Sequence, residues 1–158
     1  MSDNFDPNQF ATTSVKEAND TKTIPIPAGE YTGVVQGPMN EKGKTGFRST
    51  PKGQLLLDVV WMVDDENAAK VTGIKTPTVR QSVFLDTTSE GGLDMGPGRN
   101  VGLGRLREAL GQNVKGKSWS PMDIIGQVAK INVSHRIVRD ESTGEENTYA
   151  DVKGVTKA

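Results

Sequence analysis

Gln127-Val128-Ala129-Lys130-Ile131-Asn132-Val133-Ser134-His135-Arg136-Ile137-Val138-Arg139 alternates apolar and polar residues through most of its length. Ala129, Ile131, Val133, His135 and Ile137 share one face, and Lys130, Asn132, Ser134 and Arg136 share the other. Successive side chains of an extended chain point to opposite sides, so this stretch predicts a half-buried strand. Downstream, residues 140–147 form a turn containing Gly144, and 148–155 return as another strand. Upstream, Ser120-Pro121-Met122-Asp123 predicts a helical turn, with Ser at the cap and Pro at the first position. Before it, Asn100 is placed to cap a short helix that carries Val101, Leu103, Leu106 and Leu110 and ends at Gly111. Gly102 and Gly104 lie inside that helix, and a loop with Gly91, Gly92, Gly96 and Gly98 leads into it.

Further back, residues 78–86 alternate again, with Val79, Gln81, Val83 and Leu85 against Arg80, Ser82, Phe84 and Asp86. Residues 54–63 are an apolar run broken only by Asp58, which predicts a strand buried on much of both faces. Asp64-Asp65-Glu66-Asn67 turns the chain after it. Residues 38–53, with several glycines, prolines and lysines, predict a long loop. Residues 30–37 predict the opening strand, in which Gly33 marks a bulge or bend. Pro25 and Pro27 exclude a central strand just before it. Residues 1–24 are polar, with scattered Phe5, Phe10 and Val15, and predict a flexible N-terminal arm. The order is three strands, a helix and two strands. That is the order of the five-stranded Greek-key barrel called the OB-fold, whose helix lies between its third and fourth strands. The expected organisation is mainly β: an arm over 1–24 and one OB-fold domain over 25–158, with an open sandwich or another small barrel as alternatives.

Composition narrows the function classes. The chain has 158 residues, 34% hydrophobic, with 18 glycines. It has no cysteine and one histidine, which excludes disulfides and thiolate metal sites. No apolar run approaches the ~20 residues that span a bilayer, and Met1-Ser2-Asp3-Asn4-Phe5-Asp6 lacks the pattern of a signal peptide. The expectation is a cytoplasmic protein with no membrane partner. Net charge is −1, but the charge is segregated along the chain. Residues 38–52 hold Lys42, Lys44, Arg48 and Lys52 against Glu41. Residues 97–117 hold five cations against Glu108, whereas 140–158 hold five carboxylates against Lys153 and Lys157.

Catalytic and cofactor motifs fail on spacing. Gly43-Lys44-Thr45 would need a glycine at position 38 to be a phosphate loop, but Pro38 stands there and no helix follows. The segment from Gly96 to Gly104 lacks dinucleotide spacing and a parallel βαβ context. Arg99, with the helix amides behind it, is nevertheless placed to hold a backbone phosphate. His135 falls on an apolar strand face and reads as a structural imidazole. Asp64, Asp65 and Glu66 read as a solvated turn rather than a cation loop. No nucleophile, base and orienting group come together, so neither an enzyme nor a cofactor is expected.

Cations interleaved with aromatic rings remain. Binding a single strand without sequence preference needs positive charge to track phosphates and rings on which bases stack. Lys42, Lys44, Phe47, Arg48 and Lys52 lie between the first two strands, and in OB-folds that loop and the face of strands two and three line the nucleic-acid cleft. Arg80 and Phe84 share the polar face of the third strand, where an aromatic has no core to enter. Trp61 reads first as core and second as a stacking ring. The expected site is therefore Lys42, Lys44, Arg48, Lys52, Arg80 and Arg99 for phosphates, with Phe47, Phe84 and Trp61 for bases. Asp140, Glu141, Glu145 and Glu146 oppose this, since they sit in the other loop that usually walls the cleft.

Ile26-Pro27-Ala28-Gly29-Glu30-Tyr31-Thr32-Gly33-Val34-Val35 resembles the opening of the OB-fold single-stranded DNA-binding proteins encoded in bacteriophage replication modules. The likeness continues through residues 53–59, Leu106-Arg107-Glu108-Ala109-Leu110-Gly111 and residues 125–131. It implies a protein that coats single-stranded DNA in the host cytoplasm during phage replication or recombination, with phage or host replication proteins as partners. Many such proteins end in an acidic, aromatic-tipped tail, whereas this sequence closes on Lys153-Gly154-Val155-Thr156-Lys157-Ala158. The arm, with Asp3, Phe5, Asp6 and Phe10, is the stretch that mixes acids with aromatics. Two rival expectations are a phage decoration protein built on a small barrel and an interaction module that inhibits a host enzyme. Oligomeric state is left open.

Overall fold

Gly33 pairs with Val63 on one side and with Ala129 on the other, and that double pairing closes the sheet on itself. The computed structural model describes residues 5–158. Its strands are β1 (Gly29–Val35), β2 (Gly46–Ser49), β3 (Leu55–Val63), β4 (Thr78–Leu85), β5 (Val128–Arg139) and β6 (Glu146–Thr156). Three helices accompany them: α1 (Pro7–Ala11), α2 (Glu66–Thr72) and α3 (Val101–Ala109), with a single 3-10 turn at Pro121–Ile124.

The six strands form one mixed sheet, and five of them make a circuit, β1-β3-β4-β6-β5 and back to β1. All pairings are antiparallel except β4 with β6, which meet in parallel at Arg80 and Asp151. β2 stands outside the circuit and pairs only with β3. The inner faces supply Leu57, Val59, Trp61 and Val63 from β3, Val79, Val83 and Leu85 from β4, and Ala129, Ile131 and Val133 from β5. α3 adds Leu103, Leu106 and Ala109. Gly33 is required where β1 crosses this core. A Cβ there would lie 3.0 Å from Trp61 Cε3 and 3.1 Å from Ile131 Cδ1, tighter than a normal carbon contact.

Several expectations change here. The long loop over 38–53 contains β2, too short and too polar to announce itself, because its extended form depends on β3 as a hydrogen-bonding template. The turn after β3 opens into α2: the Asp65 carboxylate accepts from Ala68 N at 2.9 Å, and Gly73 ends the helix in the left-handed region at φ 73°. Asn100 stands at the N-cap position of α3, as its place in the sequence predicts, but its side chain does not cap the helix. It takes φ 51°, accepts from Asp86 N at 2.8 Å and donates to the carbonyls of Asp86 and Asp94, fastening the glycine loop to the end of β4. Gly111, at φ 72°, closes α3 as its sequence position predicts, with Gln112 N reaching Arg107 O at 2.7 Å.

The far half of the β5–β6 hairpin projects past the circuit, because β1 pairs with β5 only as far as Val133. Ile137 is therefore 64% exposed despite sharing the face of Ala129 and Ile131. His135 Nε2 lies 2.7 Å from Ile26 O, so the imidazole joins the approach to β1 to this hairpin. In the expected arm, Asp6 caps α1 and accepts from Asn8 N at 3.0 Å, while Phe5 and Phe10 pack on each other with centroids 5.4 Å apart. Residues 1–4 of that arm lie outside the described residues.

Candidate nucleic-acid interface

Alternation along β3 sends Leu57, Val59 and Trp61 inward and Leu56, Asp58 and Val60 outward. The register then sets the outer face row by row. Arg48 of β2, Leu56 and Phe84 of β4 stand side by side; Asp58 faces Ser82, and Val60 faces Arg80. Phe84 is 60% exposed, while Leu56 between it and Arg48 is only 2% exposed. Phe84 is thus an aromatic ring on a solvated sheet face with an apolar footing.

Asp58 anchors the middle row. Arg48 Nε donates to Asp58 Oδ2 at 2.8 Å and Nη2 to Oδ1 at 3.3 Å, while Ser82 Oγ donates to Oδ1 at 2.8 Å. Burial pushes the Asp58 carboxyl up. The hydrogen bonds from Arg48 and Ser82, with the positive charges of Arg48 and Arg80, outweigh burial and hold it below the usual aspartate range. The Arg48 guanidinium is therefore committed to an internal carboxylate, and its first task is structural. Arg80 is exposed and makes no ion pair among the described residues.

The lysines flank this face at two ends. Lys42 and Lys44 lie in the β1–β2 connection, which is fastened to β3 by Thr45: its fully buried hydroxyl accepts from Val60 N at 3.0 Å. That puts them at the Val60–Arg80 end. Lys52 sits in the tight turn from β2 to β3, where Thr50 N donates to Gln54 O at 2.8 Å, beyond the Leu56–Phe84 row.

Three expected site residues lie elsewhere. Trp61 is fully buried and its indole N–H donates to Gln81 Oε1 at 3.0 Å, so no ring face is open to a base. Phe47 stands opposite Leu57 and so belongs to the inner side of β2; it lines an apolar pocket of about 240 Å³ with Leu55, Leu57, Leu85, Leu93 and Leu103. Phe47 and Phe84 are on opposite sides of the sheet and cannot serve one ligand surface together. Arg99 lies in the loop beyond β4, and its Nε is 3.7 Å from Asp94 Oδ2.

The residue pattern also passed over two groups. Arg80 is level with Asp151 of β6, and on that same face Tyr149 stands opposite Arg136 of β5. The Arg136 guanidinium lies 5.1 Å from the centre of the Tyr149 ring, and its Nε is 2.7 Å from Asp151 Oδ2. The signal was the spacing of Tyr149 and Asp151, two apart on one strand face, but only the parallel β4–β6 pairing reveals that this is also Arg80's face. The acidic turn is at the far tip of the hairpin. There Asp140 is folded onto its own loop, accepting from Ser142 N at 2.9 Å and Ser142 Oγ at 2.7 Å, which lowers its carboxyl.

Among the described residues, no three His, Asp or Glu side chains gather as a metal would require, and no helix is long and apolar enough to cross a membrane. No protein-family model matches the chain, and no curated protein matches it.

Proposed function

We propose that the five-strand circuit is an OB-fold and that its outer β3–β4 face binds single-stranded DNA without sequence preference, as a coat on strands exposed during phage replication or recombination. The observation that carries this reading is Phe84, an exposed ring on the outer sheet face, with Arg80 on its own strand and lysine-bearing connections at both ends of the face. Strand order favours the OB-fold: α3 falls between β4 and β5, the third and fourth strands of the circuit in sequence. Bases stack on Phe84, and phosphates are met by Arg80, Lys42, Lys44 and Lys52. Ring faces and phosphate contacts carry no donor–acceptor code, so such a surface accepts any base. Arg48 contributes through Asp58, holding the strand face in shape. The resemblance noted at residues 26–35 adds the phage context and the preference for DNA.

The test is a titration of labelled oligo-dT and of matched duplex at several salt concentrations. Four free cations on phosphates give a slope of log K against log salt of about −3, at ~0.7 per contact for a single strand, with duplex bound much more weakly. No binding of oligo-dT at low salt overturns the proposal.

A further inference from the structure

The outer face does not stop at β4. Arg80 is level with Asp151, Asp151 lies 2.7 Å from Arg136, and Arg136 lies over the ring of Tyr149, a residue that is 45% exposed. We infer that Tyr149, backed by Arg136, is a second base-stacking station, and that one DNA strand crosses both it and Phe84. This rests on the function proposed above.

Three features support it. First, the ring is held before any ligand arrives. Arg136 pairs with Asp151 and lies over one side of Tyr149, so part of the side-chain freedom of the ring is already lost before a base stacks on it. Second, the charges suit a phosphate chain. Asp151 pairs with Arg136 and Asp58 with Arg48, which leaves Arg80, between the two rings, with no ion pair among the described residues. Third, the spacing fits. Phe84 is four strand positions from Arg80, and Tyr149 is two from Asp151 in the opposite sense. At ~3.3 Å per residue the rings are about 20 Å apart, roughly six stacked nucleotide steps of ~3.4 Å. That lies within the ~4–16 nucleotides such domains cover. The path ends at Tyr149: Glu146 opens the acidic turn three positions further on, about 10 Å and one Debye length away at ~0.1 M salt.

The experiment compares wild type, Tyr149→Ala, Tyr149→Phe and Phe84→Ala on oligo-dT of about 4 and about 16 nucleotides, the limits of the site-size range. Tyr149→Ala weakens the longer oligomer roughly 5- to 150-fold, the worth of one stacked base, and leaves the shorter one unchanged. Tyr149→Phe binds as wild type, since it keeps the ring. Thermal melting checks that each variant is folded. If Phe84→Ala loses affinity for the longer oligomer while Tyr149→Ala does not, or if Tyr149→Ala weakens both lengths equally, the second station is refuted and the β3–β4 site stands. If wild type binds neither length, the function itself is wrong and the station falls with it.

Discussion

Replacing Phe84 by alanine separates a binding ring from a packing ring by magnitude. Phe84 is 60% exposed, so about two-fifths of its surface is covered, chiefly on the side of Leu56 and Arg48. A phenylalanine buries roughly 150–250 Å² when fully enclosed, which puts the covered area near 60–100 Å². At ~25 cal/mol per Å² the folding contribution is at most about 2 kcal/mol, since alanine keeps part of it and the unfolded chain is not fully extended. A true core phenylalanine would cost about 3–5 kcal/mol. A base stacked on the ring is worth about 1–3 kcal/mol, or roughly 5- to 150-fold in affinity. Urea unfolding gives the first quantity, and titration with labelled oligo-dT under conditions where the variant is folded gives the second. The expected result is a small loss of stability with a large loss of affinity. Unchanged affinity in a folded variant, or a stability loss above about 4 kcal/mol, would refute the assignment of Phe84 to the ligand surface.

Other perturbations test the frame around that ring. Gly33→Ala drives a methyl to 3.0 Å from Trp61 and 3.1 Å from Ile131, and should cost about 1–3 kcal/mol in urea unfolding. Asp58 is held below its unfolded value near 4, so its stabilising effect is complete above that pH and is lost as pH falls through the lower folded value. Asp58→Asn should therefore lower stability at neutral pH and flatten the decline in melting temperature below about pH 4. Lys42→Ala with Lys44→Ala should reduce the salt slope by about 1.4 and weaken all oligonucleotide sequences alike, because phosphates carry no sequence. Arg48→Ala should lower the melting temperature, because it strips Asp58 of two of its three side-chain hydrogen bonds.

Much of the architecture was legible because it rests on local periodicity. The period of two over residues 78–86 and 129–137, the run 54–63 broken only by Asp58, and the helix ending at Gly111 each depend on neighbours a few residues away, and each appears where the pattern puts it. α2 is legible in principle, since Asp65 at its cap and Gly73 after its end are the usual punctuation, although Asp64–Asn67 by itself predicts only a turn. β2 was not legible: Gly46-Phe47-Arg48-Ser49 has little strand character of its own and is extended because β3 offers it a free edge.

The candidate site divides along the same line. Alternation by itself put Arg80 and Phe84 on one face of their strand, and the sequence determined that much, together with the lysines of the first long connection. It also excluded thiolate chemistry, since the chain has no cysteine. Only the tertiary structure decided which alternating face meets solvent, because that depends on what packs across it. The closing of β1 onto β3 and β5 buried Trp61; the register of β2 set Phe47 on the opposite side of the sheet from Phe84 and brought Arg48 to Asp58; and the parallel meeting of Arg80 with Asp151 joined Tyr149 and Arg136 to the same surface. Side-chain direction is set between neighbouring residues, but burial and partnership are set by strands far apart in the chain.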